Sequence, residues 1–299
     1  MDRFHLMSVF VAVAEAEGFA AGARRLSMSP PAVTRAIATL EEQLGVKLFN
    51  RTTRYVRTTE AGQRYLTDAR RILADLDAAD EAAAGINAEP RGHLTITAPV
   101  MFGRMHVMPG IINYLERYPD TEVSAVFLDR VVNLLEEGID VGIRIGELPD
   151  STMQALPVGA VRIVTCASPE YLSEHGSPRH PGELEEHSII ASSAGNNAVN
   201  WRFHQPRDSW TQRLKPRLSV TSNDAAIEAA FQGLGITRLL SYQVAPFISA
   251  GKLEIILEDY EPPPRPVNIV HREGRFSSAR VRAFIDLLAE RLRADPSIQ

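Results

Sequence analysis

Apolar residues recur along this chain with a helical period at first and a mixed strand-and-helix pattern later. Phe4, Met7, Val11 and Ala14 mark one face of a helix over residues 2–17, with Phe10 on its flank. Two short helices joined by a tight turn follow. The second carries Val33, Ile37, Leu40 and Leu44 at spacings of 4, 3 and 4, so Pro31, Arg35 and Ala38 face the other way. Ser29 can cap that helix, Pro30 and Pro31 suit its first turn, and Gly45 ends it. Residues 45–59 read as a two-stranded hairpin. From Glu60 to Ala88 the pattern becomes a heptad: Tyr65, Ala69, Ile72, Leu76, Ala79, Ala83 and Ile86 alternate at 4 and 3. Such a seam wants a partner helix, although a heptad alone also permits packing on its own chain.

Ala88-Glu89-Pro90-Arg91-Gly92 breaks the helix and predicts a boundary. Beyond it, strands are expected at His93–Ala98, Val123–Leu128, Val141–Ile145, Val161–Ala167, Ser188–Ser192, Leu218–Thr221, Gly235–Leu239, Lys252–Leu257 and Val267–His271. Helices are expected near 104–118, 131–137, 223–232 and 241–248, and over Ser277–Arg293, where Val281, Phe284, Leu288 and Leu292 share a side. Alternation of this kind predicts parallel pairing and an open α/β sheet.

Composition narrows the class. With 299 residues, the chain exceeds one compact core. At 44% hydrophobic and 23% charged it is ordinary globular material. The apolar run Met7–Ala14 meets Glu15 and Glu17 directly, unlike a secretory signal, and no run reaches the ~18 residues of a membrane span. Cys166 alone forms no internal disulfide, which suits a reducing cytoplasm. Charge is uneven. Residues 19–59 hold seven basic side chains (Arg24, Arg25, Arg35, Lys47, Arg51, Arg54 and Arg57) against Glu41 and Glu42, a net of +5 on a chain of −5. Phosphate attraction is thus concentrated in one segment, and a slim helix with small residues at its exposed start fits a DNA major groove.

The segment also carries Ala20 to Ala23, Leu26, Ser29, Pro31-Ala32-Val33-Thr34-Arg35, Ile37, Leu40-Glu41, Leu44-Gly45, Leu48-Phe49-Asn50-Arg51-Thr52 and Thr59-Glu60-Ala61-Gly62. In that order these residues, with Phe10, resemble the LysR-type transcriptional regulators. Pro30 departs from the pattern, standing where such proteins more often carry a polar residue. The resemblance implies a winged helix-turn-helix over 1–59, a dimerisation helix over 60–88, and a two-lobed α/β effector domain over 92–299 similar to periplasmic solute-binding proteins. Lobe one would span about 92–161 and 266–299, and lobe two about 162–265. It further implies a dimer or tetramer that binds an interrupted inverted repeat in duplex DNA. Ser27, Ser29, Pro31, Ala32, Thr34 and Arg35 are then expected at the DNA, with Arg51 and Arg54 of the wing on backbone or minor groove.

Effectors of open α/β sheets bind at the carboxyl ends of strands. The loop Pro99-Val100-Met101-Phe102 would offer backbone N–H groups to an anion beside a helix start. Leu128, Asp129, Gly146, Ser192 and Asn223 fall at comparable places, and Ser222 and Asn223 serve equally as helix caps. Arg144 lies within an apolar strand, where it either anchors a carboxylate effector or pairs with Asp129 or another acid. An apolar mouth with a cation beside it suits an organic acid.

Enzyme signatures are weak. His175, His180, His187 and His204 lack metal-ligand spacing, Ser192-Ser193-Ala194-Gly195 is no nucleophile elbow, and Gly233-Leu234-Gly235 reads as a helix C-cap rather than a dinucleotide fingerprint. No cofactor or metal is expected. Cys166, in the run IVTCA, reads as a buried small residue.

Overall fold

The computed structural model describes residues 2–51, 56–84, 89–148, 153–192, 198–205, 208–272 and 278–298. Three helices, α1 (Arg3–Glu15), α2 (Phe19–Arg25) and α3 (Pro30–Leu44), close around one core. That core comprises Leu6, Val9, Phe10 and Val13 from the first, Ala23 from the second, and Val33, Ala36, Ile37 and Leu40 from the third. Of the expected face of α1, Met7 is buried together with the flanking Phe10, Val11 and Ala14 are half-buried against the core, and Phe4 is exposed; Leu6, Val9 and Val13 are buried as well. Helix α1 is apolar nearly all round, so its period cannot choose a face. Phe10 chooses it, its ring centroid lying 5.2 Å from Phe49 and 5.4 Å from Tyr65. Gly45 ends α3 with φ +69°, the left-handed cap that glycine adopts without a Cβ penalty.

A short wing follows, β1 (Phe49–Arg51) antiparallel to β2 (Val56–Thr58), with Phe49 opposite Thr58. Helix α4 (Glu60–Ala84) leaves it immediately. Thr59 Oγ1 accepts the Gly62 N–H at 2.9 Å and donates to the Lys47 carbonyl. At Gly62 any Cβ would collide with the Leu48 carbonyl oxygen, which explains the glycine of Thr-Glu-Ala-Gly. The first half of the predicted heptad seam packs on the chain's own head: Ala69 is buried, and Tyr65 and Ile72 lie against the core beside Leu66. Leu76 is half-buried, whereas Ala79, Ala83 and Ile86 fall outside the described side chains. Glu15 clamps the assembly, pairing with Arg25 of α2 at 2.7 Å and Arg70 of α4 at 3.0 Å.

The remainder forms two five-stranded sheets. Along the chain come β3 (Gly92–Ala98), α5 (Val100–Phe102), a π turn (Gly103–Val107), α6 (Met108–Arg117), β4 (Thr121–Phe127), β5 (Val141–Ile145) and β6 (Met153–Val161). Then follow β7 (Ile163–Ala167), α7 (Pro169–His175), β8 (Ile189–Ser192), β9 (Val199–Gln205), β10 (Asp208–Leu214), β11 (Leu218–Val220) and α8 (Asn223–Phe231). Last are β12 (Ile236–Leu240), α9 (Ser241–Ser249), β13 (Glu254–Ile256), β14 (Arg265–Arg272) and α10 (Ala279–Arg293). The first sheet has order β4-β3-β5-β14-β6 and the second β11-β8-β12-β7-β13.

Neither sheet is all parallel, contrary to expectation. β14 runs antiparallel to β5 and β6, and β7 antiparallel to β12 and β13, because the strands that carry the chain between sheets enter from the opposite end. Two further expectations fail. No helix forms over residues 131–137, where 131–133 are irregular and 134–137 form a turn, and the hairpin β9–β10, absent from the sequence reading, pairs Val199 with Leu214 through Gln205 with Asp208. Its strands mix Arg, Gln, Asn and Ser with aromatics, so Val199, Trp201 and Phe203 of β9 and Leu214 of β10 turn inward, and that alternation is short. One continuous core links both sheets, running from Leu94, Ile96 and Phe102 to Tyr242, Val164 and Cys166. Among the described residues no helix is long and apolar enough to cross a membrane.

Candidate DNA-binding face and effector cleft

The turn between α2 and α3 aims its side chains outward. Ser27 holds φ +52°, and Ser27, Ser29, Pro31, Thr34 and Arg35 are all exposed, with Ala32 half-buried among them. Ser29 stands at the cap position, but its hydroxyl makes no cap bond; its carbonyl accepts the N–H groups of Ala32 and Val33. The hydroxyl therefore stays available outside, which corrects the capping role expected of it. Thr34 Oγ1 donates back to the Pro30 carbonyl at 3.0 Å. Among the described residues Arg24 and Arg35 make no ion pair, whereas Arg25 is held by Glu15 and Lys47 by Glu41. The charge counted from sequence is thus partly spent inside the head, while Arg24 and Arg35 on the α2–α3 side and the exposed Arg57 of β2 make no ion pair among the described residues.

Glu41 positions the wing. It is 3% exposed, and its carboxylate accepts from Lys47 Nζ at 2.8 Å and from the backbone N–H of Leu48 at 2.9 Å and Phe49 at 3.3 Å. Burial by itself pushes this carboxyl up, but the Lys47 and backbone hydrogen bonds outweigh it and hold the group below its ordinary value. Arg51 lies in β1 opposite Val56, its side chain outside the described set, and Arg54 lies outside the described residues altogether.

At the second site the expected loop is the first turn of a helix. Met101 and Phe102 point into the core, at 5% and 0% exposure, so of the three only Val100 reaches the surface. The helix start that was to receive an anion already holds one, since the Asp129 carboxylate accepts the Val100 N–H at 3.0 Å. Removing it by Asp129→Ala is expected to lower the stability of the full chain by about 0.5–2 kcal/mol, read as a fall in thermal midpoint. Leu128 N–H is taken by Ala98 O, and Gly146, at φ +112°, donates to Pro266 O. On the second sheet Ser192 hydrogen-bonds Asn223, and Ser222 caps α8 through Ala225 N–H. Two contacts missed by sequence join the sides: Arg104 pairs with Asp224 at 3.1 Å, and the Phe102 ring meets Tyr242 edge-on at 5.2 Å. Burial drives the Tyr242 phenol well above its usual range, with the carboxylates of Asp129 and Asp224 adding to the effect.

Among the described residues Arg144 makes no ion pair with Asp129. Its Nη2 donates to the Val132 carbonyl at 3.1 Å; burial pulls its guanidinium down while the Glu137 carboxylate pushes it up, and Asp140 accepts the Thr95 N–H. Cys166 is fully buried and burial pushes its thiol up to about 12, so it carries no thiolate chemistry. His175 stacks on Tyr171 and His180 on Trp210; among the described residues no group of histidine, cysteine or acidic side chains is placed to hold a metal. Gly233, at φ +78°, follows α8 as its left-handed terminator.

Residues 4–63 match the family model described as bacterial regulatory helix-turn-helix protein, lysR family, and residues 87–293 match the LysR substrate binding domain. The chain is 32% identical over 287 residues to the HTH-type transcriptional regulator CrgA of Neisseria meningitidis serogroup B, covering 96% of each. The solved structure of CrgA superposes with TM-score 0.62 at 31% identity, covering 96% of this chain and 98% of that one. The full-length structure of the Vibrio cholerae virulence activator AphB superposes at 0.60 with 25% identity, over 97% and 99%. With family models covering both the amino-terminal head and the α/β remainder, and a relative 32% identical over 96% of each chain, the chain belongs to the LysR family of helix-turn-helix transcriptional regulators.

Proposed function

We propose that this regulator works in the cytoplasm as a homodimer or homotetramer that binds an interrupted inverted repeat in duplex DNA and answers to a small organic acid held between its two sheets. The observation that carries the DNA half is the outward N-terminal face of α3, where Ser27, Ser29, Pro31, Ala32 and Thr34 surround an arginine, Arg35, free of ion pairs among the described residues. Small side chains let the helix start approach base edges, and Arg35 offers two parallel donors to a guanine. Arg51 and Arg54 of the wing anchor the phosphate backbone without reading sequence.

We assign residues 1–59 to the DNA-binding head, 60–88 to the dimerisation helix and 92–299 to the effector domain. Its lobe one spans about 92–161 and 266–299 and its lobe two about 162–265. Val100, Met101, Phe102, Leu128, Asp129, Gly146, Ser192 and Asn223 define the region between lobes. The seam from Leu76 onward is the part of α4 left over for a partner, since Tyr65, Ala69 and Ile72 are spent on the head. A two-fold dimer would then read two half-sites about one helical turn apart. An effector shifts the balance between lobe arrangements only by its preference for one of them, and α4 carries that shift to the heads.

The full chain is tested by gel shift on the duplex just upstream of its own gene at rising salt, with sedimentation at the same protein concentrations. Binding that falls steeply with salt, by an oligomer, is expected. A monomer that ignores duplex DNA at low ionic strength defeats the reading.

A further inference from the structure

An organic acid needs a cation not already committed, and the charges nearest the predicted cleft loops are taken. Asp129 occupies the helix start and Asp224 holds Arg104. Arg162, at the crossing from β6 to β7, is held by Glu261 at 2.8 Å and Glu258 at 2.6 Å. Arg144 is turned to Val132. Two arginines are left over at the place where the chain changes sheets. Arg238 lies two residues before the end of β12, next to the point where Ser241 N–H bonds the Arg162 carbonyl. Its guanidinium is 4.3 Å from the Phe203 ring centroid and 5.9 Å from that of Trp201, and Nη2 donates to the Arg202 carbonyl. Nε is buried with no partner, and among the described residues Arg238 makes no ion pair. Arg265 opens β14 on the crossing back, exposed and likewise without an ion pair among the described residues; its Nη1 lies by Gly146, where a Cβ would sit 3.7 Å away.

We propose that Arg238 and Arg265 together form the carboxylate anchor of the effector site, one from the second sheet and one from the crossing strand. The inference rests on the effector reading above and adds to it where the acid group sits. A half-buried cation with unmet donors is costly alone and is matched by a planar anion that accepts two parallel N–H bonds. Like charges reinforce the need. Burial pulls the Arg238 guanidinium down to about 10, with Glu261 opposing and Arg265 adding to the effect, so it remains cationic at neutral pH and a bound anion relieves the repulsion. Gly146 lies beside Arg265 in the same arrangement, and its φ of +112° is a backbone conformation that favours glycine.

Both tryptophans of the chain, Trp201 and Trp210, lie in the β9–β10 hairpin over Arg238, so intrinsic emission reports locally. Malonate titrated into the full chain at constant ionic strength is expected to give a saturable change in emission, and its neutral diamide none. Arg238→Gln and Arg265→Gln should each weaken the response by at least about tenfold, the loss of one charge-assisted pair. Arg213→Gln, an exposed cation on the same hairpin, should leave it unchanged. Arg265 is exposed, so its variant folds even if that of Arg238 does not. Malonate binding unchanged in both variants, an equal response to the diamide, or a response to inorganic phosphate alone overturns the assignment. A parallel thermal-shift screen of uncharged compounds separates the two levels of failure. Stabilisation by neutral ligands with none by malonate sinks the arginine anchor and leaves an effector site standing, whereas stabilisation by nothing sinks both.

Discussion

Glu41→Ala is expected to abolish DNA binding by the full chain without touching any residue at the DNA. The substitution leaves the buried N–H groups of Leu48 and Phe49 without acceptors and frees Lys47, so the wing loses its attachment to α3. Two orphaned backbone donors cost about 2–6 kcal/mol, a large share of the 5–15 kcal/mol that holds a typical domain, as an order of magnitude. Glu41→Gln keeps one carbonyl oxygen for the two N–H groups and should retain much of the fold. Circular dichroism through a urea titration measures both, and an alanine variant that unfolds at the wild-type midpoint would refute the account. The same group sets an acid limit. Because its folded pKa lies below the ordinary 4.5, its contribution is fully present above that value and is lost as pH falls through the lower folded pKa. The head of wild type should therefore loosen in that acid window, and Glu41→Gln should show less of this dependence.

The second large effect is on sequence reading. Arg35→Ala should cost about 1–3 kcal/mol of discrimination at one base-pair position, about 5- to 150-fold, and leave affinity for unrelated duplex little changed. Arg51→Ala should do the reverse, weakening every duplex and flattening the salt dependence. Competition binding against a set of single-base operator variants distinguishes them. Equal loss of specific and non-specific affinity in Arg35→Ala would show a phosphate contact where a base contact is assigned.

Much of the head was legible because its signals are local. The 4, 3, 4 stripe of α3, the prolines at its start and the glycine after it each act within one or two turns, and the buried positions Val33, Ile37 and Leu40 follow from them. The face of α1 was read only in part, with Met7 and Phe10 found but Leu6, Val9 and Val13 missed, since an apolar residue at nearly every position leaves the packed face to the neighbours. The cleft was hardest. Its loops were placed at strand ends, but which N–H groups remain open depends on Asp129, 29 residues away from Val100, folding back onto it. Arg144 and Arg238 look alike in sequence, single arginines inside apolar strands. Both donate to a backbone carbonyl, and packing alone leaves Arg238 with a buried Nε that has no partner.

What the amino-acid sequence by itself determined is the kind of molecule: a basic winged helix-turn-helix, a long amphipathic helix and an α/β remainder, all written in short-range periodicity, capping residues and charge. What the tertiary structure alone decided is how those charges are spent. Lys47, Arg25, Arg104 and Arg162 are neutralised by acids brought near by folding, while among the described residues Arg35, Arg238 and Arg265 make no ion pair. Ion pairing acts over a few ångströms between residues tens of positions apart, and no local pattern carries that information.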